Sequence, residues 1–339
     1  MPLTVGFVFN LKKTKPSFDP SAQEDVEFDT PQVINSLKRG MEKLGHKIIL
    51  IEADQFIYEK LKRLRPKIDL VFSIAEGSSM DAREAWLPMI CEWLKIPYVF
   101  SRPTVQALSL DKTLAKAIAA AAGVRTPWSA KIETLAAAES IKFKFPLILK
   151  PNQEGSSKGI FNNNIVANMA SLRRRLKPML KSFTSVMAEE YVDGREFTVS
   201  LLGDKAEVLP IVEQRFGFMP KKFHRIASYE LKWLYEDTLK NPHDAYDCPA
   251  KLTSKQRREI AAASVKIFKS LGVYDCARID WRMDKKGRFY FLEINTLVGL
   301  NFSDLVVSYF PISCKAAGYK IEKVLAIIIN GAAKRYKLR

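Results

Sequence analysis

Residues 276–299 read CARIDWRMDKKGRFYFLEINTLVG, and this stretch decides the predicted fold of the C-terminal part of the chain. Two segments rich in aromatic and β-branched residues flank a polar turn from Asp284 to Gly287, a pattern typical of a β-hairpin. We predict that Met283 pairs with Arg288 across the turn. The hairpin would form part of an antiparallel sheet.

In that register Asp280 faces Phe291, and Arg278 faces Glu293. Because successive side chains of a strand point to opposite faces, the pattern gathers polar groups on one face. These groups are Arg278, Asp280, Glu293 and Asn295. Two carboxylates and an amide oxygen suit Mg²⁺, and the guanidinium beside them suits an oxyanion. A salt bridge between Arg278 and Glu293 on a solvated face explains the pattern equally well.

A second stretch, FPLILKPNQEGSSKGI (145–160), consists of an apolar strand that ends at Lys150 and a loop that is rich in Gly and Ser. Such a loop can offer backbone N–H groups and hydroxyls to phosphate oxygens, with the lysine charge beneath them. The Gly-Lys-Ser/Thr order of a Walker loop is absent. Taken alone, an ordinary surface turn is as good an interpretation as a phosphate site.

The third stretch, VMAEEYVDGREFTV (186–199), is a strand that ends in Glu189 and Glu190, followed by a turn that leads to Glu196. Backbone groups at such a link can contact an adenine edge, and a carboxylate a few residues on can accept hydrogen bonds from ribose hydroxyls. A solvated acidic turn is the alternative, and without context it is the better one.

The order of elements divides the 339 residues into three units. Residues 1–100 alternate strands and helices, which is typical of a parallel sheet covered by helices. Residues 101–192 begin with an Ala-rich helix and continue through the strand at 145–150, a basic helix and the strand at 185–191. Residues 193–339 contain two strands, a helix at 254–271, the hairpin and a closing helix. The chain is therefore predicted to be an α/β protein of three closely packed domains.

The formal charge of +17 could attract nucleic acid, an anionic membrane or a polyanionic small molecule. The basic residues are spread along the chain and are not interleaved with stacking aromatics, so a solvated basic face is favoured over a nucleic-acid site. The N-terminus lacks a secretory leader and no apolar run is long enough to cross a bilayer, so we expect a cytoplasmic protein without membrane contact.

The three stretches, in this order and spacing, closely resemble the ATP-grasp superfamily, in particular the D-alanine–D-alanine ligase family, of which the chain would be a divergent paralogue. The resemblance extends from about Thr4 to about Ala333. It implies an ATP-grasp fold with an N-terminal Rossmann-like domain (1–100), a small central α/β domain (101–192) and a C-terminal α+β catalytic domain (193–339).

The resemblance also implies roles for individual residues. The residues expected to bind ATP are Lys112, Lys150, Ser156, Ser157, Glu189, Glu190, Val192, Glu196 and Lys232. Two Mg²⁺ ions, or Mn²⁺ in their place, would be held by Asp280, Glu293 and Asn295. The residues expected to take part in catalysis are Glu27, Lys150, Ser156, Lys232, Arg278 and Gly299, the last through its backbone N–H. Glu27 would hold the ammonium group of the first substrate.

The implied activity is ATP-dependent amide-bond formation between amino-acid or peptide substrates through an acyl phosphate, by an enzyme that could be a homodimer. Departures from the family pattern lie on the substrate side, where Glu76, Arg83, Ser303 and Asp304 are the candidate substrate residues and Trp233 replaces a frequent tyrosine. We therefore expect altered substrate specificity. The alternatives are a true D-alanine–D-alanine ligase of peptidoglycan precursor synthesis and a non-catalytic ATP-binding or nucleic-acid-associated protein.

Overall fold

Strands buried on both faces need continuous apolar sequence, and TVGFVF near the N-terminus provides it. Strand β1 (Thr4–Phe9) lies between β2 (Lys47–Glu52) and β3 (Leu70–Ser73) in a parallel sheet of order β2-β1-β3. The computed structural model describes residues 2–14, 25–77 and 81–338. Within the last range, Asp237 is described by its backbone alone. Among these residues no helix has the length and apolar character needed to span a membrane.

Helices cover both faces of the parallel sheet. Helix α1 (Pro31–Lys43) buries Val33, Leu37 and Met41 on one face, and the core on the opposite face includes residues of α2 (Ile57–Leu64) and α3 (Trp86–Trp93). Residues 97–100 follow α3 and contribute one β-bridge to the sheet, between Tyr98 and Val71. The chain bends away there, since Phe100 has a left-handed backbone with φ of 68°.

The central sheet is antiparallel and has the order β4-β7-β5-β6. Its elements in chain order are β4 (Ser129–Ile132), α6 (Leu135–Glu139), β5 (Leu147–Pro151), β6 (Ile165–Val166), α7 (Met169–Ser182) and β7 (Val186–Glu190). Helix α7 starts with a capping box formed by Asn168 and Ser171, and it buries Leu172, Leu176 and Met179 against the sheet.

Two helices precede this sheet, α4 (Pro103–Leu110) and α5 (Lys112–Ala121). The prediction placed them in the 101–192 unit. Their buried residues Val105, Ala115 and Ala119 belong instead to the core beneath the C-terminal sheet. This packing places Lys112, at the start of α5, next to the C-terminal sheet.

The C-terminal sheet is also antiparallel, with the order β11-β10-β8-β12-β13 and β9 paired to β8. Its strands are β8 (Gly194–Leu202), β9 (Glu207–Val208), β10 (Val212–Gln214), β11 (Tyr246–Asp247), β12 (Cys276–Asp284) and β13 (Phe289–Asn295). The helices of this part are α8 (Ser254–Leu271), α9 (Tyr309–Ala316) and α10 (Ile321–Arg335). Helix α10 shares a core with α1, so the first and last parts of the chain pack together.

The predicted hairpin exists, but the predicted register was wrong. Met283 pairs with Phe289 rather than with Arg288, and a β-bulge follows, because Trp281 pairs with Phe291 whereas Asp280 pairs with Glu293. Leu292 is the extra residue. The bulge lets Trp281 and Phe291 lie buried on the core face while Asp280 and Glu293 lie on the opposite face.

A buried ion pair connects helix α10 to the start of β12. Asp275 is fully buried and accepts hydrogen bonds at 2.9 and 2.8 Å from the guanidinium of Arg335, and a third at 2.6 Å from the backbone N–H of Phe100. Burial raises the pKa of Asp275, and Arg335 acts in the opposite direction. The guanidinium therefore offsets part of the cost of burying a carboxylate where three parts of the chain meet.

Replacing Arg335 with Met leaves Asp275 buried without its cation and should lower the free energy of unfolding by about 3–5 kcal/mol at pH 7.5. The loss should shrink at pH 5, since the carboxylate can then bind a proton. Urea unfolding followed by tryptophan fluorescence measures both values. As a matched control, Arg173→Met breaks an exposed pair with Glu139 and should cost less than about 1 kcal/mol. Equal losses in the two variants would contradict the assignment.

Candidate functional site

Two adjoining cavities open above the polar face of the C-terminal sheet. The smaller one lies between the central and C-terminal sheets, and the larger one, of about 520 Å³, extends to the N-terminal part of the chain. The residues that line both of them are Glu154, Gly155, Ser156, Lys232, Arg278, Glu293 and Tyr309. Three residues of this shared wall, Lys232, Arg278 and Glu293, are charged residues that the sequence predicted for the site.

Strands β12 and β13 form the floor of the two cavities, next to this shared wall. Asp280 lies directly opposite Glu293, and Arg278 lies opposite Asn295. Asp280 accepts hydrogen bonds from Arg278 at 3.0 Å and from the hydroxyl of Thr198 at 2.7 Å. The amide of Asn295 lies 3.4 Å from the same carboxylate. The predicted gathering of four polar groups is therefore present, with a register that differs from the predicted one.

Glu293 is kept ionised by the cations around it. Burial alone would raise the pKa of Glu293, but Lys112, Lys150 and Arg278 together lower it to about 2. The ammonium group of Lys112 lies 3.3 Å from the Glu293 carboxylate. An ionised carboxylate is the form that a divalent cation requires.

The donor set fits a magnesium ion that shares its ligands with another molecule. Asp280, Glu293 and Asn295 offer two carboxylates and an amide oxygen on adjacent strands. Within the described ranges no group of three or more His, Cys, Asp or Glu side chains forms a complete metal cage. Mg²⁺ commonly takes one or two carboxylates and completes its shell with water and substrate phosphates.

The Gly/Ser loop reaches into both cavities in a strained conformation. Ser156 and Ser157 have left-handed φ values of 49° and 60°. The Ser157 hydroxyl donates to the carbonyl of Ala227 at 2.8 Å, and the Trp233 indole N–H donates to the carbonyl of Ser156 at 2.9 Å. A Cβ atom at Gly155 would lie 2.3 Å from a carboxylate oxygen of Glu27, so only glycine allows this approach.

A buried carboxylate holds the lysine beneath this loop. Glu189, predicted to contact adenine, accepts hydrogen bonds from Lys150 at 2.5 Å and from Lys116. Burial would raise the pKa of Glu189, but these two lysines lower it. Lys116 was not recognised in the sequence, although it stands four residues after Lys112 and therefore on the same face of α5.

The smaller cavity has apolar walls and a polar rim. Ile148 and Leu292 contribute aliphatic surface, and the link from Glu190 to Val192 forms one edge. Burial raises the pKa of Glu196, and Arg282 opposes this effect. Arg282, which also lines this cavity and donates to Glu196, was not recognised in the sequence.

Residues 215–238, which we call the lid, cover both cavities. The lid contains a π-helical turn, Leu231–Tyr235, that places Lys232 on the shared wall. Burial lowers the pKa of the Lys232 ammonium group, and the nearby charge of Arg278 adds to this effect. A negatively charged ligand between these two cations would reverse the shift.

The larger cavity has an acidic wall built around one buried arginine. The Arg83 guanidinium lies 2.6 Å from Glu27 and 3.3 Å from Glu76, and 3.9 Å from both Glu84 and Glu154. All four carboxylates line the cavity, whereas Arg83 is only 6% exposed behind them. Burial raises the pKa of Glu84 to about 7 even though Arg83 opposes this, and burial raises the pKa of Glu76 as well.

Almost all predicted site residues meet at these cavities. The exceptions are Arg83, which is buried behind the acidic wall, and Ser303 and Asp304, which are exposed; none of the three lines either cavity. Asp304 instead forms a surface ion pair with Lys315. The larger cavity is lined by residues near Ser303 and Asp304 in the chain, namely Gly299, Asn301, Leu305 and Val306. In this arrangement Ser303 and Asp304 therefore lie outside the cavities, and a substrate contact of either residue stays a prediction.

Known proteins share both the sequence pattern and the fold. The family model described as D-ala D-ala ligase C-terminus matches residues 117–330. The chain is 32% identical over 311 residues to the D-alanine–D-alanine ligase of Aquifex aeolicus, covering 91% of this chain and 97% of that protein. It is 29% identical over 325 residues to an uncharacterised protein of Sinorhizobium fredii, covering 94% and 92% of the two chains.

The solved structure of the D-alanine–D-alanine ligase from Bacillus anthracis in complex with ATP superimposes with a TM-score of 0.74 at 22% identity and covers 99% of each chain. This likeness supports the ATP-grasp fold, with one parallel and two antiparallel sheets. From the family match and the Aquifex relative together, the chain belongs to the D-alanine–D-alanine ligase family of ATP-grasp carbon–nitrogen ligases.

Proposed function

We propose that this protein uses ATP to join a substrate carboxylate to an amine, through an acyl phosphate. The observation that carries the proposal is the wall shared by the two cavities, where Lys232, Arg278 and Glu293 face both of them. A phosphoryl group transferred from a nucleotide in the smaller cavity to a carboxylate in the larger one must pass this wall. Cations on it offset the charge that develops in the transfer.

In the first step a carboxylate oxygen of the substrate attacks the terminal phosphorus of ATP, the bond to the bridging oxygen breaks, and ADP leaves. Lys150 and Lys232 compensate the phosphate charge, and the loop around Ser156 and Ser157 positions the phosphate. Mg²⁺ held by Asp280, Glu293 and Asn295 would supply further positive charge when bound. The nucleotide would lie between Ile148 and Leu292, the apolar residues of the smaller cavity.

In the second step the amine of the other substrate attacks the acyl carbon. The tetrahedral oxyanion that forms would be stabilised by the Arg278 guanidinium and the backbone N–H of Gly299, both of which line the larger cavity. Phosphate then leaves, the nitrogen loses a proton, and the amide is formed. A protein that only binds ATP has no need for Arg278 at this position, which favours the enzyme over the non-catalytic alternative.

The acidic wall supports a substrate that carries a positive charge in addition to its reacting amine. Four carboxylates surround the single guanidinium of Arg83, so the wall has a formal excess of negative charge. The methyl side chain of alanine carries no charge that could pair with this wall, whereas an ammonium group would offset the excess negative charge. The second candidate is ligation of two D-alanines, which the name of the Aquifex relative favours.

A substrate panel separates these two candidates. We expect ADP release, measured in a coupled assay, to be faster by at least about tenfold with basic amino acids, polyamines or short basic peptides than with D-alanine alone. Both D- and L-isomers belong in the panel, because the cavity does not define the stereochemistry. D-alanine turnover equal to the best panel member would refute altered specificity and leave the ligase proposal intact.

Loss of one metal-side carboxylate should abolish catalysis without unfolding the protein. In Glu293→Gln the shape is kept but the charge is lost, so turnover should fall at least about 100-fold. Lys150→Ala should have a similar effect, since the phosphate loses a fixed cation. The control Glu259→Gln changes an exposed carboxylate on α8 and should keep full activity. Full activity in Glu293→Gln, with an unchanged circular dichroism spectrum, would remove the assigned site.

The preference for a basic substrate should depend on pH. Glu84 has a pKa of about 7 in the folded protein, so it gains its negative charge as the pH rises through 7. The ratio of kcat/KM for ornithine to that for the isosteric neutral norleucine should therefore rise about tenfold from pH 6 to pH 8. Glu84→Gln should flatten this ratio. A ratio in wild type that is constant over this range would speak against a role of the acidic wall.

A further inference from the structure

Arg282 on β12 connects three separate segments around the smaller cavity. The side chain is buried, at 3% exposure, and all of its nitrogen atoms donate hydrogen bonds. Nε donates to the carbonyl of Val192 at 2.9 Å, Nη1 donates to the carboxylate of Glu196, and Nη2 donates to the carbonyl of Arg225. The first two acceptors belong to the wall of the cavity, and the third belongs to the lid.

The position of Arg282 in the sheet explains this geometry. Arg282 pairs with Glu196 across the antiparallel strands β12 and β8, so the two side chains emerge side by side. The rings of Tyr191 and Phe216 lie 5.8 and 6.0 Å from the guanidinium, and Phe216 is a lid residue. A planar guanidinium offers donors in several fixed directions, which a lysine ammonium cannot match.

The lid also contacts Glu196 through the backbone N–H of Ala227, and it contacts the Gly/Ser loop and the turn after it. Ser157 donates to the carbonyl of Ala227, and the backbone N–H of Tyr229 donates to the carbonyl of Ile160 at 2.7 Å. Asn162 exchanges hydrogen bonds with the backbone of His224. Residues 224–229 are thus held by the loop on one side and by Arg282 on the other, directly over the smaller cavity.

We propose that Arg282 is a positioning residue that couples occupation of the smaller cavity to closure of the lid. The proposal rests on the ATP-dependent function proposed above. Glu196 would accept hydrogen bonds from the sugar hydroxyls of a bound nucleotide, which fixes its carboxylate and, through it, the orientation of the guanidinium. The same guanidinium then holds the carbonyl of Arg225, so the closed lid is favoured when the nucleotide is present.

Without the guanidinium, the carbonyls of Val192 and Arg225 and the carboxylate of Glu196 each lose one donor. The loss of this donor at the carbonyl of Arg225 favours an outward movement of the lid, in which water replaces the guanidinium. An open lid would admit water to the phosphoryl group, so ATP would be consumed without amide formation. Nucleotide affinity should suffer less than closure, because Ile148, Leu292 and the lysines remain in place.

Limited trypsin digestion reports closure directly, because Arg215, Lys221, Lys222 and Arg225 are exposed cleavage sites in the lid. In wild type a non-hydrolysable ATP analogue with Mg²⁺ should slow cleavage in the lid by about tenfold or more. In Arg282→Met, at nucleotide concentrations shown by calorimetry to saturate the protein, protection should fall below about twofold. Its KM for ATP should rise about tenfold, and its ratio of ADP to amide product should exceed one.

Two further variants keep the test decisive. Arg195→Met removes an arginine from the same sheet that pairs with Glu213 and lines neither cavity, and it should keep wild-type protection. Should Arg282→Met not fold, Arg282→Lys retains the charge beside Glu196 but loses the fork of donors. Arg282→Lys should bind nucleotide within about threefold of wild type and still lose most of the protection.

The outcomes separate this inference from the function on which it rests. Nucleotide protection of the lid in Arg282→Met or Arg282→Lys that equals wild type would overturn the coupling role. Binding of nucleotide by wild type without any protection of the lid would overturn it too. Absence of nucleotide binding by wild type in calorimetry would instead overturn the ATP-dependent function.

Discussion

The β-bulge at Leu292 is the constraint on which the rest of the site depends. A regular hairpin that puts Phe291 under the sheet beside Trp281 would carry Glu293 to the same buried face, because residues two apart on a strand share a side. The extra residue reverses the alternation in the middle of β13. One strand can thus contribute aromatic rings to the core and acidic groups to the floor of the cavities.

Placing carboxylates on a partly enclosed floor has an electrostatic cost, and the surrounding cations offset it. Glu293 stays ionised because Lys112, Lys150 and Arg278 converge on it from three different elements. Lys150 is in turn held by Glu189. Opposite charges therefore alternate through the site, and each side chain is oriented by a neighbour before any ligand arrives. Such preorganisation is what allows a protein to stabilise transferred charge without rearranging at the moment of reaction.

Two buried arginines set the surroundings of the site. Arg83, a candidate substrate residue in the sequence, lies behind the acidic wall and does not line the cavity, and Arg282 was not recognised in the sequence. Each lies behind or beside a carboxylate that the resemblance assigns to ligand binding, Glu27 in one case and Glu196 in the other. A guanidinium in such a place limits the orientations of the carboxylate. The substrate side and the lid are thus the regions where we expect this chain to differ most from ordinary dipeptide ligases.

The sequence by itself determined much of the secondary structure, because apolar periodicity is a local property. Strand β1, helix α8 and the existence of the hairpin follow from the order of side chains along the chain, whereas the candidate residues of the phosphate and metal side came from the resemblance to a known family. Only the tertiary structure decided the hairpin register, the packing of α4 and α5 on the C-terminal sheet, and the surroundings of Arg83 and Arg282. These features depend on contacts between residues far apart in the chain, which a local sequence pattern cannot reveal. Arg282 is the example, because it contacts Val192, Glu196 and Arg225 only after the chain has folded.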